Sequence, residues 1–281
     1  MAAGTTAQRL RVGAELRQLR EQAGISGEHV ALALGWSQPK VSRIETARTT
    51  FTIRDVAALL TFYGVSEDVR AELLALTAQD TGEGAWIVRA GGFPRRQGSL
   101  AYLETGASHI RQYQPAVVPG LLQTRDYARE IARAAGASDP EGIASARIRR
   151  QEILTSQNAP RFEVLLDARA LLFLPGSPEV LMGQIRSLMR RSQDGIVLLR
   201  LIPLRVLQRA VSATPFTLYD FRAPDSPSVA FIETPTGDVY YSSPDDVVRY
   251  GDLFIQLGAA ALDETTSVEY LDTLASDFEE A

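Results

Sequence analysis

Residues 27–46, GEHVALALGWSQPKVSRIET, constrain this chain most. Val30 and Leu34 are four apart and Val41 and Ile44 three apart, both helical spacings. With Trp36 they mark two short helices joined at Gly35. Helices that cross steeply through a short turn need a small side chain at the crossing and a residue that tolerates positive φ in the turn. Ala31 supplies the first and Gly35 the second, and Val41, six residues further on, fills the angle between the helices. This set of residues is the helix-turn-helix pattern; the alternative for the same spacing is a plain helical hairpin.

The flanks read as three more helices. Val12, Leu16, Leu19 and Ala23 recur at helical spacing over 8–23, which Gly24 ends. Arg11, Arg17 and Arg20 lie off that stripe, as a solvated basic face or as phosphate contacts. Ser26 and Ser37 are placed to cap the two helices of the motif, with Pro39 in the first turn of the second. Thr52 or Thr49 caps a fourth helix over 53–63, with Val56, Leu59, Leu60 and Tyr63 inward. Ser66 caps a fifth, about 67–79, with Val69, Leu73 and Leu76 inward. DTGEG at 80–84 is a turn-rich break.

Charge separates the chain into two parts. Residues 8–54 hold eight Arg and Lys against four Glu, whereas the remainder holds 21 bases and 30 acids. A basic unit on an acidic body fits a phosphate-facing module on a body that does not bind nucleic acid. The exposed face of the helix at 36–45 carries Ser37, Gln38, Lys40, Ser42 and Arg43, followed by Arg48 and Thr49 in a loop. Gln can pair with adenine and Arg or Lys with guanine, and a loop can touch the backbone. Glu45 is unsuited to face phosphate and is expected to pair with a nearby arginine.

GISGEHVALALGWSQPKVSRIETAR, and SQPKVSRIE within it, resembles the DNA-binding domain of lambda-repressor/Cro-like regulators, the XRE family, over residues 8–80. The resemblance implies double-stranded DNA as partner and a recognition helix in the major groove. Many relatives begin the preceding helix with Thr/Ser-Gln and use that Gln to hold a phosphate. This chain has Ser26-Gly27, which leaves the contact to His29 or to the helix N-terminus.

From Trp86 the texture changes. Residues 99–113 read as a helix on Leu100, Leu103, Ala107 and Ile110. Pro115, Pro119 and Gly120 make an irregular elbow, after which Thr124 caps a helix. Residues 139–155 read as a helix whose exposed side carries Arg147, Arg149, Arg150 and Gln151. Strands are expected at 162–167, 195–203, 216–221, 228–234 and 239–242, and helices at 178–192, 245–261 and along 263–281. VLLRLI is apolar nearly throughout, as in a central strand covered on both faces. QPAVVPGLLQT, the RxxRQ at 147–151, VLLRLIP and PFTLYDF resemble the uncharacterised domain that follows a helix-turn-helix in many actinobacterial regulators, WhiJ-like proteins among them. That resemblance covers about 86–275 and implies a regulatory or assembly role with no catalytic residue.

Little else suggests chemistry. The chain has no cysteine, which excludes disulfides, thiolate zinc sites and cysteine nucleophiles. Of two histidines, His29 lies in the motif, so His109 stands alone in the second part, too few for a triad or a histidine metal site. No P-loop or GxGxxG occurs, and GEG at 82–84 and AGG at 90–92 read as linker glycines. Arg147, Arg150 and Gln151 share a helical spacing able to hold an anion, a salt-bridge role being the alternative. No signal peptide or membrane span is expected. The expected fold is multidomain: a five-helix all-α helix-turn-helix domain over 8–80, a linker over 81–98 and an α+β domain over 99–281. The expected function is a cytoplasmic, nucleoid-associated, sequence-specific transcriptional regulator. It would act as a homodimer, without cofactor, metal or membrane, its second domain dimerising or sensing a ligand or a small protein partner. The alternatives are an antitoxin-like, partner-capturing protein and an enzyme domain fused to a DNA-binding one.

Overall fold

The computed structural model describes residues 6–78, 85–89, 100–101, 103–172, 175–204, 212–222, 228–234 and 237–280. The turn-rich break at 80–84, including GEG, and AGG at 90–92 lie outside them.

Five helices come first: α1 (Thr6–Gln22), α2 (Gly27–Leu34), α3 (Gln38–Glu45), α4 (Ile53–Tyr63) and α5 (Glu67–Ala78). The Ser26 hydroxyl accepts from the His29 amide at 3.1 Å and the Ser37 hydroxyl from Lys40 at 3.3 Å. Thr52 and Asp55 form a reciprocal capping box at the start of α4. Gly35 has φ of +64° and ends α2, with the Trp36 amide reaching back to the Ala31 carbonyl at 2.8 Å. Val12, Leu16, Val30, Val41, Ile44, Phe51, Val56, Leu59, Leu60 and Leu73 are buried in one core.

A Cβ at Gly35 would meet nothing within 4 Å, so the need for glycine there is conformational and not steric, as the sequence reading has it; one detail departs from that reading. The tight approach is instead at Gly13, where a Cβ would lie 2.7 Å from the carbonyl oxygens of Ile44 and Glu45. Gly13 therefore lets α1 rest directly on the end of α3.

An α+β domain follows. Residues 100, 101 and 103–106 are helical (α6). The strands are β1 (Ala85–Arg89), β2 (Ala107–Gln114), β3 (Arg161–Asp167), β4 (Leu198–Ile202), β5 (Phe216–Phe221), β6 (Val229–Glu233) and β7 (Gly237–Tyr241). The remaining helices are α7 (Arg125–Ala134), α8 (Pro140–Gln151), α9 (Pro178–Gln193), α10 (Pro244–Gly258) and α11 (Glu264–Glu280). The sheet order is β1-β7-β6-β5-β2-β3-β4, with β2, β3 and β4 parallel and the other pairs antiparallel.

Alternation along the strands gives the sheet two apolar faces. Tyr113, Leu165, Ile202, Phe216, Leu218 and Ala230 pack with Phe254 and Leu257 of α10. Ile110, Val164, Leu199, Leu201, Val229 and Phe231 face the opposite way, in the core that holds Leu181, Ile185 and Leu188 of α9 and Leu271 of α11.

Three expectations change here. Residues 107–113 are strand, not helix: Ala107 and Ile110 fit a spacing of three by coincidence, while β2 hydrogen-bonds to β3 on one side and to β5 on the other. VLLRLI supplies β4, which is covered on both faces but lies at the edge of the sheet, not its centre. Its open edge is closed by the first turn of α11 and the segment before it: the Leu201 amide donates to Ser267 Oγ at 2.9 Å, and the Leu201 carbonyl accepts from the Leu262 amide at 2.8 Å. Residues 85–89, inside the expected linker, pair antiparallel with β7.

Candidate nucleic-acid interface

Only Val41, Ile44 and Glu45 of α3 are buried. Its polar face is a short platform on which Ser37, Gln38, Ser42 and Arg43 are exposed. Arg43 Nε donates to the Pro39 carbonyl at 3.2 Å, and the residue remains exposed. Lys40 is half-buried: Nζ is 2.8 Å from Asp55 Oδ1 and 3.7 Å from the centre of the Trp36 ring. Burial pushes the Asp55 carboxyl up, but the Lys40 ammonium and the Thr52 amide and hydroxyl outweigh it and hold it below its ordinary value. Lys40 thus ties α3 to α4 in this arrangement. Arg48 is exposed beyond α3 and Thr49 half-buried, after a chain reversal in which Ala47 has φ of +51°.

Glu45, the one acid on α3, pairs inward. Arg20 Nε and Nη2 donate to its two oxygens at 2.7 and 2.9 Å, and the Tyr63 hydroxyl donates at 3.3 Å. The Glu45 hydrogen bond raises the Arg20 guanidinium above its ordinary value despite burial. Burial, and then the Glu45 carboxylate, pushes the Tyr63 phenol up. The expected arginine partner of Glu45 is therefore Arg20, and the pair removes a negative charge from the exposed face of α3.

The arginines of α1 are not a solvated basic face. Arg11 is buried beside Glu15 at 2.7 Å, Arg20 is engaged with Glu45, and only Arg17 is exposed, paired with Glu21 at 2.8 Å. The α1 spacing shows only that these residues lie off the main stripe. It does not show that α3 and α4 cover that side too.

The second domain turns its arginines inward as well. Arg150 on α8 makes a two-pronged pair with Glu104 on α6, Nε to Oε2 at 2.9 Å and Nη2 to Oε1, with the two side chains 9% and 3% exposed. Gln151 is buried and donates to the Gln123 and Gly120 carbonyls at 2.7 and 3.2 Å, while Arg191 donates to its Oε1 at 2.6 Å. Gln184, wholly buried, accepts from the Thr124 amide at 2.7 Å and donates to the Leu122 carbonyl at 2.8 Å. The elbow at 115–124 has no strand partner, so buried amide side chains satisfy its backbone. Of the expected exposed row on α8, only Arg149 is exposed.

His109, the lone histidine of the second part, sits among charged side chains. Its Nε2 lies 3.0 Å from Glu163 and its Nδ1 3.6 Å from Asp220, to which Arg111 also pairs at 3.1 Å. These side chains form one polar cluster across β2, β3 and β5. Among the described residues no group of three or more His, Cys, Asp or Glu is placed to hold a metal ion. No helix among them is long and apolar enough to cross a membrane.

Residues 11–73 match the family described as a helix-turn-helix domain. Curated proteins provide no match to the chain. Among solved structures it is similar to TrmBL2, described as an archaeal chromatin protein whose structure shows a novel mode of DNA binding. The identity is 13% over 75% of this chain, with a TM-score of 0.33, and the chain spans 66% of that structure's length. That likeness is too slight to inform fold or function. Residues 97–273, more than half of the chain, match the domain of unknown function DUF5753, so the chain belongs to the DUF5753 family and carries a helix-turn-helix domain ahead of it.

Proposed function

We propose that the chain is a sequence-specific DNA-binding transcriptional regulator of the XRE, lambda-repressor/Cro-like kind, and that its second domain is the WhiJ-like regulatory type. In this reading α3 lies in the major groove. Gln38 and Arg43 read base edges, Ser37 and Ser42 sit against the backbone or bases, and Lys40, Arg48 and Thr49 hold phosphates. The observation that carries the reading is the face of α3, which presents Gln38, Ser42 and Arg43 outward while Arg20 and Tyr63 hold Glu45 inward. A reading helix needs projecting donors and no unpaired carboxylate against phosphate.

The working division is a DNA-binding unit at 8–80, a connection at 81–98 and a regulatory unit at 99–281, with β1 serving the second unit's sheet. One helix-turn-helix contacts too few base pairs for high specificity, so a homodimer on two half-sites is the natural form. The second domain would supply the dimer contact and sense a ligand or a small protein, with no catalytic role, and the protein would act in the cytoplasm on the nucleoid.

Genome-wide mapping of bound sites, with the full chain, tests the reading. The expected result is a shared motif with two half-sites about one or a whole number of helical turns apart. Uniform coverage with no motif would sink it. Sedimentation of the full chain at micromolar concentration tests the assembly, and a monomer both free and on DNA would remove the two-half-site form.

A further inference from the structure

The second domain holds an open cavity of about 530 Å³ between the sheet and the elbow. Pockets for small organic molecules span about 300–1,000 Å³. Ile110, Val118, Leu121, Ile131 and Phe231 give it apolar walls. Its charged lining is balanced. Arg147 and Arg150 of α8 stand with Glu104 of α6 and Glu233 at the end of β6. Arg150 is engaged by Glu104. Arg147 Nη1 donates to Gln123 Oε1 at 2.6 Å. Burial, and then Arg150, pushes the Arg147 guanidinium down to about 10, with the Glu233 carboxylate opposing. Two arginines are thus set against two carboxylates.

The polar groups that this balance leaves over include two uncharged amides. Ile110, Gln112 and Gln114 alternate along β2 and share the face of the sheet that lines the cavity. Side chains on one face of a strand follow one another at about 7 Å. Those of Gln112 and Gln114 are half-buried and make no hydrogen bond among the described residues. Each amide offers an acceptor oxygen and a donor NH2 group. A carboxylate or an ammonium placed here would bring a charge that the lining has nothing left to balance, in a partly desolvated site. An uncharged group with its own donor and acceptor meets the two glutamines without that cost.

We propose that this cavity binds an uncharged small molecule with amide groups on an apolar body, its amides on Gln112 and Gln114 and its apolar part against Ile110, Val118, Leu121 and Ile131. A blocked dipeptide has this chemistry: it carries three amides, and in the extended form the first and third lie about 7 Å apart, the spacing of the two glutamines. The proposal rests on the sensing role given to the second domain and names the class of ligand. Binding is read on the protein without DNA, so failure of ligand binding and failure of DNA binding are separate results.

The test is calorimetric titration of the full chain with acetyl-leucyl-leucinamide, which is uncharged. Acetyl-leucyl-leucine serves as its anionic counterpart and leucyl-leucinamide as its cationic one, at about pH 6.5, where both are ionised. The uncharged peptide should saturate one site and bind roughly tenfold or more tightly than either charged one. Gln112→Glu keeps the size of the side chain, adds one negative charge to the lining, and should reverse the order so that the cationic peptide binds best. If Gln112→Glu does not fold, Gln114→Glu serves, with the same reversal expected. Equal binding of the three peptides, tightest binding of a charged one to the parent, an order untouched by either Glu variant, or no saturation by the uncharged peptide up to about 10 mM would each overturn the site.

Discussion

α3 and α8 begin alike and end differently. Each is entered through a capping side chain and a proline, Ser37 and Pro39 in one, Asp139 and Pro140 in the other, and each carries a row of arginine and amide side chains. On α3 the row projects outward, because burial on that helix is confined to Val41, Ile44 and Glu45. On α8 an elbow without strand partners packs over the helix, and Glu104 arrives from α6, so Arg150 and Gln151 are drawn inside. A polar helix face is a surface only where nothing else in the fold needs its hydrogen bonds.

The largest expected effect tests the inward half of that contrast. Glu104→Leu leaves the Arg150 guanidinium buried without its carboxylate, and should destabilise the second domain by about 3–5 kcal/mol. Urea unfolding of the full chain, followed by aromatic fluorescence, measures it. A destabilisation below about 1 kcal/mol, the range of exposed pairs, would place α8 on the surface after all.

The outward half comes next. Arg43→Ala and Gln38→Ala should each relax base preference at particular operator positions by about 1–3 kcal/mol, with stability nearly unchanged. Competition binding against single-base operator variants gives the numbers. Identical discrimination by parent and variants would remove α3 as the reader.

Two glycines of the first domain sharpen the comparison further. Gly13→Ala pushes a methyl group onto the Ile44 and Glu45 carbonyls and should cost about 1–3 kcal/mol. Gly35→Ala has open space and only the left-handed backbone to contend with, about 1 kcal/mol. Thermal unfolding of the two variants side by side checks the order, and a reversed order would contradict the close approach of α1 to α3 at Gly13.

The smallest effect is on acid stability. The Asp55 carboxyl lies below its ordinary value in the folded chain, so its contribution is present above the unfolded value, near pH 4, and disappears as pH falls through the folded one. Asp55→Asn should flatten the acid limb of the first domain's stability curve slightly, and an unchanged slope would mean that the Lys40 bridge contributes nothing.

Much of this molecule is legible in its residue pattern. Helices α1 to α5 follow from apolar spacing and from Ser26, Ser37, Thr52, Gly24 and Gly35, because caps and left-handed stops act within a few residues of the chain. The inward pairing of Glu45 follows from its place among cationic and amide side chains on a helix expected to face phosphate. The outward set Gln38, Ser42 and Arg43 follows from the positions of Val41 and Ile44, since burying those two fixes the rotation of the helix.

Other features are set by partners distant in the chain. Residues 107–113 fit a helical spacing, yet they are a strand because β3 and β5 offer hydrogen bonds on both sides, 54 or 112 residues away in the contacts of His109 and Ser108. The same holds for β4, whose apolar run reports burial on two faces but not its place in the sheet order, and for Gly13, whose need for glycine is visible only once α3 lies across it. The sequence by itself determined the helix-turn-helix, its caps and the exposed face of α3, because these depend on periodicity and local hydrogen bonding. Only the tertiary structure decided which arginines are interior and where the cavity lies, because desolvation and pairing depend on what a fold brings together from far along the chain.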